Sequence, residues 1–284
     1  MRIVSLLPSA TEISFALGGG EDVVGVTFEC DFPAAARTRR IVSTTALPEG
    51  LTPGEIDAAV RRMVAAGEDL YHLDAGALRE LDPDVVITQD LCAVCAIDVT
   101  DVDEALDYLG CRAEVVSTDP HTLTEVLASI ETVGKAIGRD ATQLVESLRP
   151  RLGTRAGRGV RLALLEWTDP PFAPGHWLPE MVTVAGGVNV LGAAGERSTA
   201  INWRQVAAAE PEVVVSAPCG FGLDGAAELT ELLMGELPAD IPVWAVDANG
   251  YFARPGPRLV DGVEVLAAIL QGEAPDPAIA RRLR

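Results

Sequence analysis

A chain of 284 residues, 48% of them hydrophobic, can bury one large or two medium cores, which speaks against extensive disorder. Its formal charge is −20, from 42 acidic against 22 basic residues, so nucleic acid is not an expected partner. No stretch reaches the ~20 apolar residues of a membrane span, and no membrane insertion is expected.

In chain order, Arg2-Ile3-Val4-Ser5-Leu6-Leu7 reads as a buried strand, followed by a short helix from Ser9 to Leu17 that Gly18-Gly19-Gly20 ends. Val23 to Thr27 is a second strand, which the chain leaves through Glu29-Cys30-Asp31-Phe32-Pro33. The spacing predicts a helix over 52–66, with Pro53 in the first turn that tolerates it, and another over 75–81. Asp84-Val85-Val86-Ile87-Thr88 is a β-branched run of the kind found in parallel strands, and it delivers Gln89-Asp90-Leu91-Cys92-Ala93-Val94-Cys95. Val99 to Leu109 reads as helical and Ala113 to Ser117 as a strand. The longest predicted helix then runs from Leu123 to Arg149. Its apolar positions step mostly by three, four or seven, Thr122 and Glu125 fit a capping box, and Pro150 stops it. At ~1.5 Å per residue it would span about 40 Å, suited to crossing between two lobes.

After this helix the pattern restarts. Arg161 to Leu165 echoes the opening strand, and Val184-Ala185-Gly186-Gly187 echoes Ala16-Leu17-Gly18-Gly19. Ala209-Glu210-Pro211-Glu212-Val213-Val214-Val215-Ser216 repeats Leu81-Asp82-Pro83-Asp84-Val85-Val86-Ile87-Thr88 and runs into Pro218-Cys219-Gly220. The expected fold class is therefore α/β: two Rossmann-like lobes, residues 1–120 and 153–284, bridged by one long α-helix within 121–152, with a ligand cleft between the lobes. Ligands of such sheets sit where loops leave the carboxyl ends of strands. The second copy also carries an insertion, Glu166 to Trp177, with two Trp, one Phe and His176 on a proline-stiffened loop. Such a loop either covers a planar or apolar ligand or staples itself to its own lobe. Arg254, in Asp247 to Pro257 after the strand Val243 to Val246, reads as a cation at the cleft rim.

Ile3-Val4-Ser5-Leu6-Leu7-Pro8-Ser9-Ala10-Thr11-Glu12, Gly18-Gly19, Val24-Gly25-Val26-Thr27, Pro83-Asp84-Val85-Val86 and the central helix together resemble the cobalamin-binding subunits of ABC importers. The likeness to this long-helix class of solute-binding proteins covers nearly the whole chain. It implies a rather rigid two-lobed cleft gripping one cofactor-sized ligand, in a class that also includes binders of siderophores, haem and metal ions. Aromatic side chains line the cleft of its cobalamin binders, which implies Trp167, Phe172 and Trp177 as contacts here. The start of the chain lacks an export signal, and the cysteine-bearing elements are not part of the importer pattern. They look like those of cytoplasmic homologues, so a cytoplasmic location is expected and an ABC importer is an unlikely partner.

The cysteines carry the competing chemistry. Cys30, Cys92, Cys95 and Cys219 each follow an inferred strand, whereas Cys111 lies between a helix and a strand and reads as structural. Four convergent thiolates suit Zn or an iron–sulfur cluster; Cys92 and Cys95 alone could instead form a redox dithiol, and free cysteine is often simply buried. His176 is the leading histidine for acid/base or ligand work, with Asp90 and Glu180 as further catalytic candidates, while His72 and His121 read as ordinary edge residues. Trp167, Phe172, His176, Trp177, Asp90 and Arg254 form the expected ligand-binding set. Two functions follow: a cytoplasmic carrier or sensor of a corrinoid-like or other metal-containing cofactor, or an enzyme using a Cys-ligated metal or cluster on a small substrate.

Overall fold

A computed structural model describes residues 1–89 and 112–284 of the chain. Asp90, Cys92, Cys95, Cys111 and the helix predicted over 99–109 lie outside the described residues. The chain divides into two compact units, one of Met1–Pro120 with Glu125–Ser147, the other of His121–Thr124 with Leu148–Arg284. Among the described residues no helix is long and apolar enough to cross a membrane.

The first unit is built on a six-stranded sheet. Its strands are β1 (Ile3–Ser5), β2 (Val23–Thr27), β3 (Arg40–Thr45), β4 (Tyr71–Leu73), β5 (Val85–Thr88) and β6 (Glu114–Ser117), in the order β4-β3-β2-β1-β5-β6. All neighbours are parallel except the edge strand β4. Helices α1 (Pro8–Ala16), α2 (Pro53–Ala66) and α3 (Ala75–Leu81) connect them. The reason is legible in β1 and β5, whose unbroken apolar runs are buried on both faces, Ile3, Val4, Val86 and Ile87 all being 0% exposed. Helix α2 begins where the sequence places it, with Thr52 and Glu55 forming a reciprocal capping box.

The second unit repeats this plan. Strands β7 (Arg161–Leu165), β10 (Val188–Asn189), β12 (Val213–Ser216), β13 (Val243–Val246) and β14 (Ala280–Arg282) form a sheet in the order β10-β7-β12-β13-β14, parallel except for β14. The order β10-β7-β12-β13 matches β2-β1-β5-β6. The match extends to single hydrogen bonds. Asp82 and Glu210, each just before a proline, hold φ of 40° and 43°. Asp84 accepts from the Arg2 N–H at 2.7 Å, and Glu212 from the Arg161 N–H at 2.9 Å. Arg2 Nε donates to Leu81 O, and Arg161 donates to Glu210 O and Ala209 O. The glycine pairs also correspond, Gly19 donating to Ser14 O and Gly187 to Val182 O.

One expectation is corrected. The helix predicted as continuous from Leu123 to Arg149 is two helices, α4 (Leu123–Ala136) and α5 (Thr142–Leu148). Gly138 takes a left-handed φ of +66°, Arg139 N–H closes on Gly134 O at 2.7 Å, and Asp140 accepts from Thr142 N–H at 2.9 Å. A glycine terminator followed by an Asp that satisfies the next helix's first turn is a stop-and-restart signal, which the unbroken apolar periodicity conceals. The periodicity is itself real: Val126, Ile130, Val133, Ile137, Val145 and Leu148 are all buried.

The remaining helices of the second unit are α6 (Leu178–Val184), α7 (Trp203–Ala208), α8 (Leu223–Leu232), α9 (Ala248–Tyr251) and α10 (Leu259–Gln271). Just after α5, Arg151 forks onto α10, reaching Asp261 at 2.6 Å and Glu264 at 2.7 Å. The Arg151 hydrogen bond, with Arg151 and Arg155 charge beside it, holds the Glu264 carboxyl below its ordinary value near 4.5 against the opposing effect of burial. A depressed folded-state pKa stabilises the fold above the unfolded value, and that contribution is lost as pH falls through the folded one. Arg151→Ala should therefore lower the melting temperature near pH 7, and its deficit against wild type should shrink on acidification below about 4.5; thermal melts at pH 7, 5 and 3.5 check it.

Candidate functional site

In each sheet the chain turns to one side after β1 or β7 and to the other side at β5 or β12, so the carboxyl ends of these strands flank a topological switch point. In the second unit this end is fully described. After β7 comes Glu166, then a hairpin of β8 (Trp167–Thr168) and β9 (Pro171–Ala173), with β11 (Thr199–Ala200) pairing on β9. Trp167 lies directly across from Phe172, and both are half-buried. The insertion that the sequence marks as a loop is thus a β-hairpin, which β11 extends to a three-stranded antiparallel sheet.

It is pinned to its own unit. Glu166 N–H donates to Phe172 O, and its carboxylate accepts from Gly175 N–H at 3.0 Å. His176 N–H donates to Glu196 O at 2.6 Å, and Gly195 N–H donates to His176 O. Gly175 passes so close to the 196–198 segment that an added Cβ would lie 2.2 Å from Ser198 N. Gly175→Ala should cost about 2 kcal/mol or more, because the obstacle is backbone and cannot rotate away. A lowered melting temperature with altered near-ultraviolet circular dichroism of the tryptophans checks this.

The loop after β12 meets the hairpin. Cys219 N–H donates to Glu166 O at 3.0 Å, and the Phe221 ring lies 5.8 Å from that of Trp167, tilted by 52°. The loop after β13 joins them through Asn249 N–H, which donates to Phe221 O; there Arg258 stands 5.1 Å over the Tyr251 ring. Trp167 and Phe172 of the hairpin, with Phe221 and the half-buried Cys219 of the loop after β12, form an aromatic patch at the carboxyl end of the sheet, able to accept a broad flat apolar face. Phe221 was missed from sequence, although its place two residues after Cys219 on a strand-end loop was a usable signal.

Other expected residues have different surroundings. Trp177 is 4% exposed, and its Nε1–H donates to Phe252 O at 2.8 Å, so it is packed inside the unit and presents no free ring. Arg254, expected as a rim cation, is 7% exposed and so largely buried. Glu180 accepts the Leu123 N–H at 2.6 Å, the role of a cap for the first turn of α4. His176, at φ +50°, lies with its ring 5.4 Å from that of His121, whose Nδ1 is 3.3 Å from Gly195 O. The sequence has no pattern that brings these two histidines together.

In the first unit the corresponding end of β2 carries Phe28 and Phe32, 39% and 45% exposed, neither singled out from sequence as a contact. Between them Cys30 is buried, with its sulfur 3.0 Å from Thr11 Oγ1. Cys30 belongs to the first unit and Cys219 to the second, and the other two members of the expected thiolate set, Cys92 and Cys95, lie outside the described residues, as does Asp90. Among the described residues no group of three or more His, Cys, Asp and Glu is placed to hold a metal ion.

No family model matches the chain. It is 24% identical over 277 residues to the vitamin B12-binding protein of Vibrio cholerae, covering 95% of this chain and 89% of the relative. It is 26% identical over 284 residues to YvrC of Bacillus subtilis, an uncharacterized ABC transporter substrate-binding lipoprotein, covering 94% and 78%. Among solved structures, the periplasmic vitamin B12 binding protein BtuF of Vibrio cholerae superposes with a TM-score of 0.62 at 24% identity, covering 95% and 96% of the two chains. A periplasmic heme binding protein from Pseudomonas aeruginosa gives 0.69 at 20% identity, covering 98% and 96%.

Proposed function

We propose that this chain, whose fold is that of the vitamin B12-binding-protein-like solute-binding proteins of ABC importers, binds one cobalamin-sized ligand at the carboxyl-end loops of the second unit's sheet. The observation that carries the reading is the aromatic patch of Trp167 and Phe172 on a hairpin fastened at its base, with Phe221 of the neighbouring loop against Trp167. A rigid aromatic surface loses little entropy on binding, which suits capture of a large planar molecule without refolding. Names of the relatives support cobalamin first and haem second.

Titration of hydroxocobalamin and of haemin against tryptophan fluorescence, with calorimetry for stoichiometry, tests it. One hydroxocobalamin per chain at micromolar Kd or tighter is expected; no response to either ligand overturns the reading.

Delivery to an ABC importer is part of the proposal, since the relatives include an ABC transporter substrate-binding lipoprotein. This reverses the sequence-based expectation that an importer is an unlikely partner. Cell fractionation tests it: recovery only in the cytosol would return the chain to the role of a cytoplasmic carrier or sensor.

The enzyme reading is carried by Cys219, whose half-buried thiol sits on the loop that meets Trp167. Stoichiometric zinc, or iron with sulfide, in anaerobically purified protein, lost in Cys219→Ala, would favour a metal or iron–sulfur site over simple cofactor capture.

A further inference from the structure

A concavity lies at the opposite end of the second unit's sheet from the aromatic patch. It is a groove of about 450 Å³, within the range of small-molecule sites. Val160, just before β7, Val213, the first residue of β12, and Pro242, just before β13, mark it as the amino-terminal edge. That puts it about 15 Å, one strand length, from the aromatic patch. Its apolar side is the half-buried Trp244 of β13 with Ile269 and Leu270 from the last turn of α10.

Two arginines line it, Arg158 on an anchored stretch of main chain and Arg282 with one guanidinium nitrogen bonded to backbone. Arg158 follows Gly157, where an added Cβ would lie 1.7 Å from Gly186 O, so the chain can run there only as glycine. Arg155 N–H, donating to Val184 O at 2.9 Å, anchors the same segment. Arg282 is the register partner of Trp244 across β13 and β14. Its Nε donates to Arg284 O at 2.8 Å, which leaves its terminal nitrogens available.

Among the described residues neither arginine forms an ion pair with an Asp or Glu side chain, in a chain where Arg61, Arg139, Arg151 and Arg281 all do. Two carboxylates also line the groove. They are Glu212, which accepts from the Arg161 N–H, and Glu273. In a protein of charge −20, this groove gathers two guanidiniums beside a half-buried indole.

We infer that this groove binds a small organic carboxylate with a flat apolar body, which stacks on Trp244 while its carboxylate pairs with Arg158 or Arg282. Guanidinium matches carboxylate in a two-bond fork, and the indole supplies the stacking face. The inference does not rest on cobalamin binding at the other end of the sheet.

The probes are 2-naphthoate and its neutral counterpart 2-naphthamide, titrated by calorimetry into the full chain. Saturable one-site binding of 2-naphthoate is expected, at least tenfold tighter than 2-naphthamide. Trp244→Leu and the exposed double variant Arg158→Gln/Arg282→Gln should each weaken it at least tenfold, and Trp167→Leu should leave it unchanged. The double variant keeps the test open if Trp244→Leu fails to fold. No saturable binding up to millimolar 2-naphthoate, equal affinity for the amide, or loss on Trp167→Leu overturns the inference.

Discussion

Trp177→Ala should lower the melting temperature by about 10 °C while leaving ligand affinity nearly unchanged at temperatures where the variant stays folded. The indole is 4% exposed and sits against the 0%-exposed Phe252 segment. Deleting a fully packed Trp costs about 4 kcal/mol in transfer and cavity terms. The Phe252 carbonyl would also lose its donor, and an orphaned buried acceptor adds to the cost. For a chain of this size each kcal/mol moves the midpoint by about 2–4 °C. Paired thermal melts and hydroxocobalamin titrations check it. A variant with wild-type stability and abolished affinity would restore Trp177 as a ligand contact.

Trp167→Ala should behave in the opposite way, weakening hydroxocobalamin about thirtyfold, or roughly 2 kcal/mol, with a melting temperature within a few degrees of wild type. Trp167 is only half-buried, and its indole N–H is satisfied within its own hairpin by Asp169 O at 3.1 Å. Truncating it removes a stacking face while the hairpin's backbone pairing and the Glu166–Gly175 anchor remain. Phe221→Ala should lose a smaller part of the same affinity, because it removes the support for the Trp167 ring and a smaller contact area of its own. Unaltered hydroxocobalamin binding by Trp167→Ala would put the ligand elsewhere and with it sink the aromatic-patch reading.

The two tryptophans show why the site was only partly legible. Both belong to one twelve-residue insertion, and residue type alone marks both as ligand contacts. What separates them is the partner: Trp167 meets Phe221 at a strand end, and Trp177 meets a carbonyl 75 residues away. Arg254 is a similar case, since a lone arginine after a strand reads as exposed until the loops around it are folded.

The sequence by itself determined the plan of the two units. The central strands β1, β5, β7, β12 and β13 are mostly apolar runs, the turns before β5 and β12 carry Asp-Pro and Glu-Pro, and the copies before and after the α4–α5 segment match down to Arg2 and Arg161. Such signals are local, acting within a few residues, so one copy can be read against the other without coordinates. Only the tertiary structure decided that the insertion is a pinned hairpin, that Gly138 divides the helix, that His121 lies against His176, and that Trp177 is core. These outcomes depend on which distant segments compete for the same space and the same hydrogen bonds. Burial and pairing energies between residues far apart in sequence leave no period or spacing along the chain to read.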